Sequence, residues 1–149
     1  MSAPAAGDEL PGFVATVTRA DLVRYAAASG DANPIHLDDD AARAAGLPGV
    51  VAHGMATLAI AGRLVTAWAG PGAEVAVLRT RFPRPLVVPA DGGAELTVDG
   101  RVAEVAEDGT VRVDLTVTSG GSAVLLQARA VVRPAGPAAA DAAADGGGA

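Results

Sequence analysis

The segment from residue 54 to about residue 69 constrains the fold most, because it has helical spacing and is apolar on nearly every side. Its larger side chains, set among alanine and glycine, are Met55, Leu58, Leu64, Val65 and Trp68. A helix that is apolar all round is stable only when other elements cover it. Gly62 in its interior costs about 1 kcal/mol of helix propensity relative to alanine, which is tolerable if another backbone packs closely there. The segment therefore predicts a long central helix that is buried on most sides.

The spacing of apolar residues changes from helical to strand-like near residue 74. Strands are predicted at about 75–82, 94–105, 110–118 and 122–132, and another near residues 13–17. Within 111–118, valine and leucine alternate with polar residues, as expected for a half-buried antiparallel strand. The predicted architecture is α+β, with an antiparallel sheet of about five strands wrapped around the central helix.

Composition excludes several classes of function. The chain has 149 residues, which is typical of one domain, and its net charge of −6 argues against nucleic acid as a partner. No apolar run reaches the roughly 18 residues that would cross a membrane, so no membrane insertion is expected. The first residues lack the basic and apolar parts of a secretory signal, so a cytoplasmic location is expected. The absence of cysteine and lysine excludes thiolate and Schiff-base catalysis.

The two ends of the chain differ in composition from the middle. Residues 1–7 and 134–149 consist mainly of alanine, glycine, proline and aspartate, with almost nothing large to bury. Such segments cannot offset the entropy of ordering, so both are expected to be disordered. The folded domain is predicted to span residues 8–133.

Asp31 and His36 lie five residues apart in the stretch Ser-Gly-Asp-Ala-Asn-Pro-Ile-His, residues 29–36. A carboxylate and an imidazole are the side chains best suited to moving protons near neutral pH. Pro34 fixes its own φ and disfavours helical geometry at Asn33, so the loop from Asp31 to His36 is expected to be extended and stiff. An isolated pair at this spacing is more often structural, with Asp31 capping amides and His36 packing.

Helices are predicted on both sides of this loop. Thr18 and Asp21 form a capping pair for a helix that ends near Gly30. Asp38 is a good N-cap for a second, short helix that Gly46 can end, and the acidic residues after Asp38 complement its dipole. This role explains the acidic run without a metal, and no metal site is expected.

The motifs A-x-S-G-D-x-N-P-I-H, at residues 27–36, and G-x-x-x-x-x-A-H-G-M, at residues 46–55, are similar to those of the MaoC-like family. This family comprises R-specific enoyl thioester hydratases and dehydratases with the hotdog fold. The resemblance extends through Arg81-Phe82 and residues 87–89 to about residue 133. Among the branches of the family, the chain resembles the catalytic B-type subunit of mycobacterial (3R)-hydroxyacyl-ACP dehydratases.

The resemblance implies reversible hydration and dehydration between (3R)-hydroxyacyl and trans-2-enoyl thioesters. It places the catalytic pair on Asp31 and His36 and an oxyanion-binding backbone amide on Gly54. Asn33 could orient water or substrate, or lock the loop by hydrogen bonds to backbone. The substrate would be carried on CoA or on the phosphopantetheine of ACP, with no other cofactor. A homodimer, or a heterodimer with another hotdog subunit, is expected.

Two other functions stay open on the sequence. The chain could be a non-catalytic hotdog subunit that binds the acyl chain beside a catalytic partner, although the trio Asp31, Asn33 and His36 argues against this. It could also be a hotdog acyl-CoA thioesterase.

Three further residues are expected to support the site. Ser29 is interpreted as a helix-end residue, because no nucleophile elbow surrounds it. His53 is expected to have a positional or capping role beside Gly54. Arg81 lies in a predicted basic patch with Arg79 and Arg84 that could hold the phosphates of CoA or phosphopantetheine, although such a pattern more often consists of ordinary solvated charges on a strand.

Overall fold

One long helix lies against an antiparallel sheet in the computed structural model, which describes residues 3–135. The first half of the chain contains strand β1 (Glu9–Val17) and helices α1 (Arg19–Ser29), α2 (Asp39–Ala44) and α3 (Gly54–Ala69), with a 3-10 turn at Pro34–His36. The second half contains strands β2 (Glu74–Arg81), β3 (Ala94–Val105), β4 (Val111–Ser119) and β5 (Ser122–Arg133). The predicted α+β fold class is confirmed, with every predicted element present.

The sheet has five strands in the order β1-β3-β4-β5-β2, and all neighbours are antiparallel. The alternation predicted in β4 is confirmed, since Val111, Val113, Leu115 and Val117 are buried. β1 and β2 form the two edges of the sheet. β2 leads directly into residues 82–88, which run back toward the beginning of α3.

The prediction that helix α3 is buried on most sides is wrong: one face is buried, whereas Met55, 60% exposed, lies with Ala59 and Arg63 on a face that the rest of the described chain leaves uncovered. Leu58, Ala61, Leu64 and Val65 belong to the hydrophobic core that this helix shares with the inner face of the sheet. A Cβ on Gly62 would lie 3.0 Å from Leu78 Cδ2, so a close neighbour would have to shift to admit a side chain there. The close neighbour is a side chain of β2, whereas the sequence suggested another backbone.

Helix α1 begins and ends at the predicted residues. The Thr18 side chain accepts from the Asp21 N–H while the Asp21 carboxylate accepts from the Thr18 N–H, which completes a capping box. Gly30 adopts a left-handed conformation with φ 78° and ends the helix. A cap of this kind contributes about 1 kcal/mol. Together the two caps fix the point at which the chain leaves α1 for the loop that carries Asp31.

The predicted boundaries of the folded domain, residues 8 and 133, stay predictions. Within the first seven residues, the structure describes 3–7, where the Gly7 N–H donates to the Val102 carbonyl at 2.8 Å. The predicted disordered tail from residue 136 onward lies outside the described residues. Between residues 3 and 135, no helix is long and apolar enough to cross a membrane.

Candidate active site

A chain of short-range hydrogen bonds organises the loop after α1. The Ser29 hydroxyl donates to the Tyr25 carbonyl and accepts from the Asp31 N–H at 3.2 Å. The Asp31 carboxylate accepts from the Asn33 N–H at 3.3 Å, and the Asn33 side-chain oxygen accepts from the Ile35 N–H at 3.2 Å. Ser29 is therefore a helix-end residue, as predicted. Asn33 locks the loop, which is one of the two roles that the sequence left open.

The prediction of an extended loop from Asp31 to His36 is wrong in its second half. Asn33 has φ −56° and ψ 123°, outside helical geometry as expected, but Pro34–His36 forms a 3-10 turn. Proline favours the first position of such a turn, where its missing N–H costs nothing, and the Asn33 side chain caps it. The turn directs the His36 side chain inward, and only 11% of that side chain is exposed.

His36 is held in one orientation by the segment before α3. Its Nδ1 lies 2.7 Å from the Val51 carbonyl, while the Val51 N–H donates to the Ile35 carbonyl. A carbonyl only accepts, so Nδ1 carries the proton and the neutral ring keeps a lone pair on Nε2. Nε2 lies 4.0 Å from Asp31 Oδ2, and the Asp31 side chain is 53% exposed. The structure thus brings the two predicted proton-transfer groups together at the protein surface.

His53 connects both members of this pair. It is 2% exposed, and its Nε2 lies 3.0 Å from the Asp31 carbonyl, to which it donates. Its ring stacks on His36 with centroids 3.8 Å apart, and the Tyr25 ring lies 4.8 Å away. His53 occupies the N-cap position of α3 but its side chain caps no amide. Of the two roles expected for it, the contacts favour the positional one.

An ion pair fixes the helices on either side of the loop. Arg19, the first residue of α1, lies 3.0 Å from the Asp39 carboxylate at the start of α2. Asp39 also accepts from the Val50 N–H at 3.0 Å, and Arg19 Nε donates to the Val88 carbonyl. The Arg19 hydrogen bond and the Val50 N–H lower the pKa of the Asp39 carboxyl from its usual value of 3.8. We call these four residues the clamp.

Gly54 begins α3 beside His53 and borders a cleft of about 370 Å³. The lining of this cleft combines the start of α3, the segment after β2 and one residue of β5, namely Ala52, Gly54, Thr57, Phe82, Pro83, Arg84, Pro85, Leu86 and Val124. The Gly54 N–H has no acceptor among residues 3–135, as is usual for the first amides of a helix. Such an amide, at the positive end of the helix dipole, can donate to a negative oxygen in the cleft.

Asp31, His36 and His53 are the group of described residues whose donor atoms are close enough to suggest a metal, lying within 4.8 Å of one another. A tetrahedral ion bound at about 2.0–2.1 Å needs lone pairs that converge on one point. The stacked rings of the two histidines direct their lone pairs along nearly parallel planes. As arranged, the group does not fit a metal.

The predicted basic patch is divided between two places. Arg84 lines the cleft beside Gly54, whereas Arg79 and Arg81 line a separate hollow with Arg129. Arg129 was missed because it lies 50 residues from Arg79 in the sequence and joins it only through strand pairing. Among the predicted site residues, Arg81 therefore lies apart from the Asp31–His36 pair.

Comparison with known proteins identifies the family. The family described as MaoC like domain matches residues 6–120. The chain belongs to the MaoC-like domain family. The fold is the hotdog fold of this family, as the resemblance implied.

Several known proteins are similar to this chain in sequence or in structure. The chain is 38% identical over 97 residues to 3-hydroxyacyl-thioester dehydratase X of Mycobacterium tuberculosis, covering 59% of this chain and 34% of that protein. A solved MaoC-like dehydratase is 35% identical with a TM-score of 0.81, covering 88% of this chain and 41% of the other. The R-hydratase PhaJ1 of Pseudomonas aeruginosa is 30% identical with a TM-score of 0.68, covering 89% and 83% of the two chains.

The C-terminally truncated HadBC complex of Mycobacterium tuberculosis, a (3R)-hydroxyacyl-ACP dehydratase, has a TM-score of 0.69 at 18% identity, covering 86% and 96% of the two chains. At this identity the match supports the fold alone, so the resemblance to the B-type branch stays a prediction. The chain spans about a third of the length of dehydratase X and less than half of the first solved structure.

Proposed function

We propose that this MaoC-like protein catalyses the reversible hydration and dehydration between trans-2-enoyl and (3R)-hydroxyacyl thioesters. The observation that carries the proposal is the 4.0 Å separation between His36 Nε2 and Asp31 Oδ2. The Asp31 carboxylate oxygen accepts hydrogen bonds, and so does His36 Nε2 when the ring proton is on Nδ1. Two acceptors that each lie about 2.8 Å from one water oxygen are about 4.0–4.4 Å apart, so one water molecule can donate to both.

In hydration, the oxygen of this water forms a bond to C3 of the enoyl thioester while one of its protons passes to the pair. His36 is suited to receive that proton, because the Val51 carbonyl accepts from its Nδ1–H and the Asp31 carboxylate lies beside it. The negative charge that develops on the thioester oxygen is stabilised by the Gly54 N–H. The pair then returns a proton to C2, and dehydration reverses each step.

The test is the hydration of crotonyl-CoA by the purified chain, followed by the loss of enoyl absorbance. Asp31→Asn and His36→Ala should each lower kcat by about 10²–10⁴ while the protein stays folded, as expected for an acid–base group. Asp40→Asn is the matched control, since Asp40 is a fully exposed carboxylate that pairs with Arg43 away from the site. Unchanged turnover in both site variants would overturn the proposal.

The same assay separates the alternative functions. A thioesterase would release a free thiol, which a thiol-reactive dye detects, whereas a hydratase leaves the thioester intact. A non-catalytic acyl-binding subunit would bind crotonyl-CoA without changing its absorbance.

We propose that neither a metal nor an organic cofactor is needed, so activity should survive treatment with EDTA.

We also propose that the chain works beside a second hotdog subunit, either an identical copy or a different chain. Two comparisons support this: the solved HadBC structure is a complex of hotdog chains, and the longer relatives have more than twice the length that this chain covers. Light scattering of the purified chain tests the identical copy. Activity that appears only after co-expression with a second hotdog chain would favour the heterodimer.

We also propose that the reaction takes place in the cytoplasm, and the localisation of a tagged chain would test this.

A further inference from the structure

Three arginines surround an irregular point in the pairing of β2 with β5. Arg79, Arg81 and Arg129 line a hollow of about 230 Å³ together with Thr80 and Gln127. None of the three arginines forms an ion pair within residues 3–135. The hollow is therefore a concentration of positive charge on a chain whose net charge is −6.

The pairing of Arg79 with Arg129 is unfavourable without an anion. The two residues are directly opposite each other in the ladder, where like charges repel. Asp114, opposite Arg129 on β4, could have neutralised it but lies beside Arg112 instead, at 3.9 Å. An anion between the guanidinium groups would turn this repulsion into attraction.

A β-bulge with a strained residue shapes the hollow. Arg79 pairs with Arg129 and Arg81 with Leu126, so two residues of β5 face one residue of β2. Within residues 3–135, Gln127 is the non-glycine residue with positive φ, at 51°. The Thr80 hydroxyl donates to the Leu126 carbonyl at 3.0 Å and stabilises the bulge. Bulges redirect side chains, and such strain is concentrated at functional sites.

We propose that this hollow, which we call the arginine hollow, binds phosphate groups of the carrier that delivers the acyl thioester. The proposal rests on the proposed function. Arginine binds phosphate oxygens through two parallel N–H donors, and three unpaired arginines suit a group of more than one negative charge. Arg81 is followed directly by Phe82, whose ring lies against Gly54 and lines the cleft, so Phe82 connects the strand that carries the arginines to the wall of the proposed active site.

The test compares crotonyl-CoA with crotonyl-pantetheine, which has the same reacting atoms and no phosphate. The kcat/KM for crotonyl-CoA divided by that for crotonyl-pantetheine reports the contribution of the phosphate-bearing part of CoA. Arg79→Gln and Arg129→Gln should each lower the preference for crotonyl-CoA by about tenfold, as expected for loss of a charged hydrogen bond. Arg133→Gln is the matched control on the same strand, since it removes the same charge from a residue that pairs with Glu74, and should change the ratio less than twofold.

A direct titration keeps this proposal separate from the proposed function. Calorimetry with adenosine 3′,5′-bisphosphate and with 4′-phosphopantetheine requires no turnover and distinguishes phosphates found only in CoA from the one shared with ACP. Either compound should bind the wild-type chain at least tenfold more tightly than Arg79→Gln. If neither binds, or if Arg133→Gln weakens binding equally, the arginine hollow is not a phosphate site, whatever the activity of the enzyme.

Discussion

Replacing Gly54 by alanine should separate activity from stability. A Cβ at this position would lie 3.0–3.2 Å from three atoms of the Phe82 ring, closer than ordinary van der Waals contact. Phe82 is 49% exposed, so its ring can turn toward solvent. Overpacking in a closed core costs about 1–3 kcal/mol, but relief on an open side and the better helix propensity of alanine, up to about 1 kcal/mol, offset this. The free energy of unfolding should change by less than about 1 kcal/mol.

The effect of Gly54→Ala on turnover should be much larger. The added methyl group enters the cleft next to the N–H that is proposed to stabilise the thioester oxygen, and the displaced Phe82 ring changes the opposite wall. The alanine keeps its backbone N–H, but the added methyl group should hold the thioester oxygen out of its reach, and losing one oxyanion donor typically costs about 10²–10³ in kcat. Steady-state hydration of crotonyl-CoA and urea unfolding of the same preparation measure the two quantities.

Gly62→Ala provides the matched control on the same helix. Its added Cβ would meet Leu78 Cδ2 at 3.0 Å, a steric load similar to that at Gly54 but away from the cleft. We expect it to affect stability and to leave kcat within about twofold. Wild-type kcat in Gly54→Ala, or an equal loss of kcat in both variants, would show that the thioester oxygen does not bind in the space beside Gly54.

Three further predictions concern the clamp, acid stability and the core. Asp39→Asn should lower both Tm and kcat, because it breaks the ion pair with Arg19 that holds the loop between α1 and α2; thermal melts and the hydration assay measure this. Hydrogen bonds from Thr18 lower the pKa of Asp21, and the hydrogen bond from Arg19 lowers the pKa of Asp39. Both carboxylates therefore stabilise the fold above pH 3.8, and this stabilisation is lost as the pH falls through their lowered pKa values. Urea unfolding from pH 5 to pH 2 should show that decline, and a smaller one in Asp39→Asn. Gly100→Ala should cost about 1–3 kcal/mol, because its Cβ would lie within 3.3 Å of three leucine side chains; an unchanged urea midpoint would contradict the packing of α3 on β3.

The elements that sequence reasoning predicted well are those determined by local signals. The capping box at Thr18 and Asp21, and Gly30 at the other end, fix α1 within a few residues of chain. The helical spacing of α3 and the alternation of β4 are likewise set by residues close together in the sequence. Asp31 and His36 were found because their motif lies in eight consecutive residues.

The features that were missed depend on residues far apart in the chain. Arg19 and Asp39 are separated by 20 residues, and nothing near either one predicts that they meet. The stacking of His36 on His53 requires the 3-10 turn, which forms because the Val51 segment offers partners for both Ile35 and His36. Pro34 is compatible with an extended chain and with a 3-10 turn, so the local sequence did not distinguish the two conformations for Pro34–His36.

The buried His53 ring has a consequence for how this protein can change. Its Nδ1 has no hydrogen-bond partner in the described part of the chain, and an unsatisfied buried atom of this kind costs about 1–3 kcal/mol. The Asp31 carbonyl that Nε2 contacts belongs to an exposed residue and could bond to water instead. An apolar ring at position 53 would therefore make a more stable protein with a less ordered catalytic loop. Thermostability screening without an activity screen would select such variants, and the proposed activity would be lost while the fold improved.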